Sequence, residues 1–146
     1  MKILNLPPYE HFVNYYETDQ MGIVHHSNYI RWMEEARCDM LSKLGLPYSE
    51  MEKEGVMIPV LSVSCNYKAM SYFEDTVVIK MVVEKYDGLR LNISYEMTDK
   101  KTGQLRATGE SSHCFLSKPG AEIISLKRTN PRMHEIFLQN AENENK

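Results

Sequence analysis

The run Tyr16-Glu17-Thr18-Asp19-Gln20-Met21-Gly22-Ile23-Val24-His25-His26-Ser27-Asn28-Tyr29 holds two carboxylates, two imidazoles and two carboxamides within a short stretch. An aspartate can attack a carbonyl carbon or take a proton from water, and a histidine titrates near neutrality, so Asp19 and His26 suit proton transfer at an ester. The pattern turns helical directly after them, and a helix start offers free N–H donors and a partial positive charge to a developing oxyanion. These are the parts of acyl-transfer chemistry. Each also has an ordinary structural use, since aspartate is common at turns and a histidine beside a helix start is often a cap. A metal is not expected: His25 and His26 are adjacent and cannot easily share one ion, and no further ligand stands at supporting spacing. Gly22 fits a backbone shape that no Cβ allows and a close approach by a ligand.

The elements that must hold these residues are legible in the periodicity. Tyr29, Met33, Ala36, Met40 and Leu44 recur at three- and four-residue steps, widened by Trp32 and Leu41, and predict a helix over about 27–44. Ser27 or Asn28 is the expected N-cap, Gly45 the C′ glycine, and Pro47 prevents continuation. Before it, 10–17 reads as a strand; after it, Glu50–Glu54 reads as a short helical turn. Strands are then expected over Met57–Tyr67, with Pro59 marking an edge or irregular start, and over Thr76–Lys85. Asp87-Gly88 predicts a hairpin into the alternating strand that begins at Leu89. A turn at Asp99–Gly103 leads into a long strand over Gln104–Ser117, where Gly109 marks a bulge or a close backbone approach. Pro131–Asn140 reads as a short amphipathic helix, and Ala141–Lys146 as a polar tail. One helix with a broad apolar stripe and an antiparallel sheet to receive it make a single α+β domain over 1–146, with its core at about 9–118.

Bulk properties exclude several classes. A net charge of −3 gives no electrostatic case for nucleic acid, although a local basic patch for a phosphate-bearing small ligand is compatible with it. No apolar run reaches membrane-spanning length, and the first residues are too soon interrupted by Pro7-Pro8 for a signal peptide. Cys38, Cys65 and Cys114 are odd in number and widely spaced, which fits free thiols in a reducing cytoplasm.

The residues Asp19-Gln-Met-Gly22-Ile-Val-His25-His26-Ser-Asn28-Tyr29, followed by Trp32-Met-Glu34-Glu-Ala36-Arg37, resemble the signature of hotdog-fold thioesterases of the 4-hydroxybenzoyl-CoA thioesterase (YbgC-like) family. The element order resembles that family from Tyr9 to about Ser117. The resemblance implies a hotdog fold, five or six antiparallel strands wrapped around the long helix, assembled as a homodimer or homotetramer. It implies an acyl-CoA thioesterase without a cofactor, acting on a small-molecule substrate with no nucleic acid or membrane partner. Asp19 then matches the essential carboxylate, as nucleophile or general base, and His26 matches the histidine of the bacterial branch. The N–H near His26 would be the oxyanion donor. Gly22, Asn28 and Tyr29 fall within the substrate-binding turn. Arg90, with Lys68, Lys118, Lys127 and Arg128, is a candidate for the coenzyme A phosphates. Aromatic residues replace His25 and His26 in the 4-hydroxybenzoyl branch, which argues against that substrate. The alternatives are an acyl-carrier-protein thioesterase and a non-catalytic acyl-CoA-binding hotdog protein.

Overall fold

The computed structural model describes residues 2–3 and 7–141, with side chains over 7–140. In chain order the elements are β1 (Lys2–Ile3), β2 (Tyr9–Phe12), a 3-10 turn (Tyr15–Glu17), α1 (Ser27–Lys43), α2 (Tyr48–Lys53), β3 (Val56–Met57) and β4 (Val60–Tyr67). They continue as β5 (Thr76–Tyr86), β6 (Arg90–Asp99), β7 (Leu105–Cys114), β8 (Leu116–Ser117), α3 (Leu126–Thr129) and α4 (Pro131–Ala141). The sheet runs β1-β5-β6-β7-β4, all antiparallel, with β2 beside β1 along β5, and β3 pairs with β8 apart from it.

The alternation of β6 produces its burial. Leu91, Ile93, Tyr95 and Met97 point into the core, and the residues between them face out. From α1, Trp32, Met33 and Ala36 are fully buried against that face, with Tyr29, Met40 and Leu41 nearly so. Each such side chain withdraws apolar surface from water, a gain of about 1.5–3 kcal/mol for a large one. The helix ends in a Schellman motif, with Gly45 at φ +84 and the Leu46 N–H on the Leu41 carbonyl at 2.8 Å. At the other end of the core, Phe137 of α4 stacks on Tyr86, ring centroids 5.2 Å apart.

Several boundaries differ from expectation. The strand expected over 10–17 stops at Phe12, because Asn14 and Glu17 turn the chain: the Glu17 carboxylate accepts the Asn14 N–H at 2.8 Å. Val56–Met57 belongs to the separate β3 ladder, and beyond Pro59 the register of β4 slips between Val60 and Ser62. The last long strand is interrupted between Cys114 and Leu116, where Phe115 is wholly buried. Gly109 is not a bulge: it pairs in register with both Tyr95 and Cys65, and its role is close approach. The polar tail expected beyond the last helix lies outside the described residues, apart from the backbone of Ala141.

Candidate active site

Asp19 stands at the head of a tight turn. Its carbonyl accepts the Gly22 N–H at 2.9 Å, its own N–H donates to the Ile23 carbonyl at 2.8 Å, and its Oδ1 accepts the Met21 N–H at 2.8 Å. Gly22 sits at φ +80 with open space where a Cβ would be, so the turn needs its conformation and not its small size. One carboxylate oxygen is thereby fixed. The other, Oδ2, takes no hydrogen bond among the described residues.

The turn is stitched to α1 at its base. The His25 N–H donates to the Glu17 carbonyl at 2.9 Å, Thr18 bridges Val24, and the Val24 N–H reaches the Ser71 carbonyl at 2.9 Å. Neither expected cap serves the helix. Its cap position is His26, whose side chain makes no capping bond. The His25 ring does that work instead: its Nδ1 accepts the Ser27 N–H at 3.2 Å, which puts the proton of the neutral ring on Nε2. The His26 N–H has no acceptor among the described residues, so it is a free donor at the start of α1.

Asp19, His26, Tyr29, Tyr67 and Lys68 line one open cavity of about 350 Å³, with Met21, Ile23, Val24, Ala69 and Met70 as its apolar wall. That is the scale of a small-molecule site. The Tyr67 hydroxyl donates to the His26 carbonyl at 3.1 Å and so pins the end of β4 to the helix start. Burial, aided by the neighbouring Cys65 thiol, pushes the Tyr67 phenol up to about 12, and burial raises Tyr29 as well. Both rings are therefore neutral at physiological pH. His26 stacks on His25, centroids 4.1 Å apart, and makes no hydrogen bond to Asp19 among the described residues.

The other expected site residues are placed elsewhere. Asn28 is buried and its amide is occupied, donating to the Glu17 carbonyl at 2.9 Å and the His25 carbonyl at 3.3 Å. Gly22 shapes the turn without lining the cavity. Arg90 is remote from the cavity. Tyr67 lies opposite Ala107 and Arg90 opposite Cys114, seven residues further along β7, or about 23 Å. Among the other basic candidates Lys68 is at the cavity, whereas Lys118 pairs with Glu52 at 3.6 Å. Of the wall from Tyr67 to Met70 only Lys68 is a candidate from the sequence, because a strand end carries no periodic signal. Glu17 is not a candidate from the sequence either, although Asn14-x-x-Glu17 has the spacing of a capping box.

A helix laid on one antiparallel sheet, with a carboxylate turn before its N-terminus, is the hotdog arrangement. Residues 13–128 match the model of the Thioesterase-like superfamily, and the chain belongs to that family. It is 36% identical over 125 residues to the proposed acyl-CoA thioesterase YneP of Bacillus subtilis (strain 168), covering 86% of this chain and 90% of that protein. It is 24% identical over 122 residues to a 1,4-dihydroxy-2-naphthoyl-CoA hydrolase of Thermosynechococcus vestitus, covering 83% of each. Among solved structures it resembles a DHNA-CoA thioesterase from Staphylococcus aureus with a TM-score of 0.87 and 38% identity, over 96% of this chain and 95% of that one. No helix among the described residues is long and apolar enough to cross a membrane.

Proposed function

We propose that the protein hydrolyses acyl-CoA thioesters at the Asp19 cavity, releasing a carboxylic acid and the coenzyme A thiol. One observation carries the reading: Asp19, with one carboxylate oxygen to spare, and His26, with an N–H that has no acceptor among the described residues, line the same cavity. With the thioester oxygen on the His26 N–H, negative charge developing there meets a fixed donor and the positive end of α1. Asp19 then takes a proton from the attacking water, whose oxygen bonds to the carbonyl carbon as the C–S bond breaks. The departing thiolate receives its proton from His26 in its imidazolium form, which leaves the ring neutral; that side chain is exposed and within the cavity. Direct attack by Asp19, followed by hydrolysis of the acyl-enzyme anhydride, uses the same atoms.

Lys68 stands at the cavity for the phosphates of the coenzyme. Arg90 serves this cavity only if a second copy supplies it. A homodimer, or a tetramer built from it, supports that arrangement, because β4 ends the sheet with an edge unpaired among the described residues. The kinship with enzymes named for acyl-CoA and 1,4-dihydroxy-2-naphthoyl-CoA supports a coenzyme A ester. The free thiols of Cys38, Cys65 and Cys114 support a reducing cytoplasm as its compartment.

The test is a panel of aliphatic and aromatic acyl-CoA esters scored by free-thiol release, with carrier-protein thioesters run in parallel. A coenzyme A ester should be turned over, and Asp19→Asn should lower kcat by about 10²–10⁴-fold with the fold intact. Tight binding without thiol release, or full activity in Asp19→Asn, would refute the reading.

A further inference from the structure

The Asp19 turn hangs from a buried polar cluster that the chemistry above does not use. Glu17 is 4% exposed and His11 6% exposed. Glu17 Oε1 accepts the Asn14 N–H and meets His11 Nε2 at 2.8 Å, while Oε2 accepts the Trp32 indole N–H at 2.8 Å. The second His11 nitrogen lies 3.0 Å from Glu35 Oε1, which also accepts the Tyr9 hydroxyl at 2.8 Å. A carboxylate can only accept, so both His11 contacts are hydrogen bonds when both ring nitrogens carry a proton. The ring lies over Trp32 with centroids 4.6 Å apart.

Burying a carboxylate is costly unless it is satisfied by donors, and a fold with nothing to position there would be served as well by an apolar residue. What Glu17 does with its other end is the second observation. Its carbonyl accepts from the His25 N–H and from the Asn28 amide, each at 2.9 Å. One residue thus binds α1 twice, through Trp32 by its side chain and through Asn28 by its backbone. The same residue precedes Asp19 by two positions and holds the strand that returns from the turn to His26.

We propose that Glu17 is a positioning residue for thioester hydrolysis, fixing the Asp19 carboxylate relative to the free N–H at the start of α1. The proposal rests on the assignment of the chemistry to Asp19. Reacting groups must be held in near-attack geometry, and a misplacement of about 1 Å costs on the order of 10²-fold in rate. The carboxylate is the only side chain of its length that can accept from all of these donors. In Glu17→Gln an NH2 group of equal size replaces one acceptor and confronts an N–H, either that of Trp32 or those of His11 and Asn14. Burial alone raises the Glu17 carboxyl, but the bonds from Asn14, His11 and Trp32 outweigh it and hold the group below the usual carboxylate range.

The experiment measures kcat, KM and the thermal midpoint for wild type, Glu17→Gln, Trp32→Phe and the double variant on a coenzyme A ester that the wild type hydrolyses. Trp32→Phe deletes the indole donor and keeps an aromatic ring, so it decides the question if Glu17→Gln does not fold. Glu17→Gln should lose at least about tenfold in kcat with KM within about twofold, and Trp32→Phe should shift kcat in the same direction by less. The double variant should be no slower than Glu17→Gln alone, because the indole acts through the carboxylate. Unchanged kcat in both variants, or losses in kcat and KM that follow the thermal midpoint, would overturn the proposal and leave Asp19 untouched. Absence of hydrolysis by the wild type, or full activity in Asp19→Asn, would instead overturn the assignment on which it rests.

Discussion

The Gly109 backbone passes directly beneath Met33 Sδ: a Cβ at Gly109 would lie 2.5 Å from that sulfur and 3.1 Å from the Ser64 carbonyl oxygen. Here α1 lies close on the sheet. Gly109→Ala should destabilise the protein by about 1–3 kcal/mol through overpacking, read from denaturant midpoints. In a Met33→Ala background the penalty should shrink, since both Met33 contacts are removed and the Ser64 contact stays. Equal penalties in the two backgrounds would show that the sulfur is not what the methyl meets.

The His26 N–H and the His26 ring have separate roles in the proposed reaction, and two substitutions separate them. His26→Ala removes only the imidazole. His26→Pro also removes the N–H, and proline suits this position because its φ is −56. Proline should therefore lose an additional 10²–10³-fold, roughly, in kcat beyond alanine, with thermal melting to verify the fold. Equal rates would place the oxyanion donor elsewhere.

His113 predicts a dependence of stability on pH. Its Nδ1 faces the Pro59 carbonyl at 3.2 Å, and its Nε2 lies 2.8 Å from the Ser111 hydroxyl. Ser111 meets the Tyr95 hydroxyl at 2.6 Å, and Tyr95 accepts from Arg37 at 3.0 Å. The carbonyl can only accept, so the neutral ring carries its proton on Nδ1 and accepts from Ser111. Burial, and secondarily the Arg37 charge, lower its pKa from 6.5 to about 4. The unfolded chain therefore binds the extra proton first as pH falls. Stability should be lost progressively from about pH 6.5 down to about 4, by roughly 2–4 kcal/mol from this group, and the loss should level off below. Urea denaturation of wild type and His113→Gln across that window should show the slope flattened in the variant; parallel curves would sink the assignment.

The edge of β4 carries exposed Val60, Leu61, Val63 and Tyr67, an apolar strand with nothing paired along it among the described residues. If copies join there, Val63→Lys should place a charge on both sides of the joint and shift the assembly toward monomers in sedimentation experiments. A wild type that sediments at 17.0 kDa would exclude edge pairing.

Much of this was legible without coordinates. The apolar stripe from Tyr29 to Leu41, the Gly45 stop, the Asp87-Gly88 hairpin and the alternation of β6 are local patterns, and they appear as written. Asp19 and His26 are legible as candidates because they stand in one short segment, and they line one cavity. The capping of α1 was misjudged because Ser27 and Asn28 have good capping side chains but are drawn away by His25 and Glu17. The site's second wall, Tyr67 to Met70, is forty residues distant in sequence and is delivered by the pairing of β4 with β7.

Hydrophobic period and turn chemistry thus determined the elements, their order and the acid at the turn, since each depends on neighbours a few residues apart. Only the tertiary structure decided which groups meet. Glu17 reads in the sequence as the last, polar residue of an expected strand, yet folding surrounds it with Asn14, His11 and Trp32. The affinity of a buried carboxylate for donors from three elements is a property of the assembled core, and no stretch of the chain carries it alone.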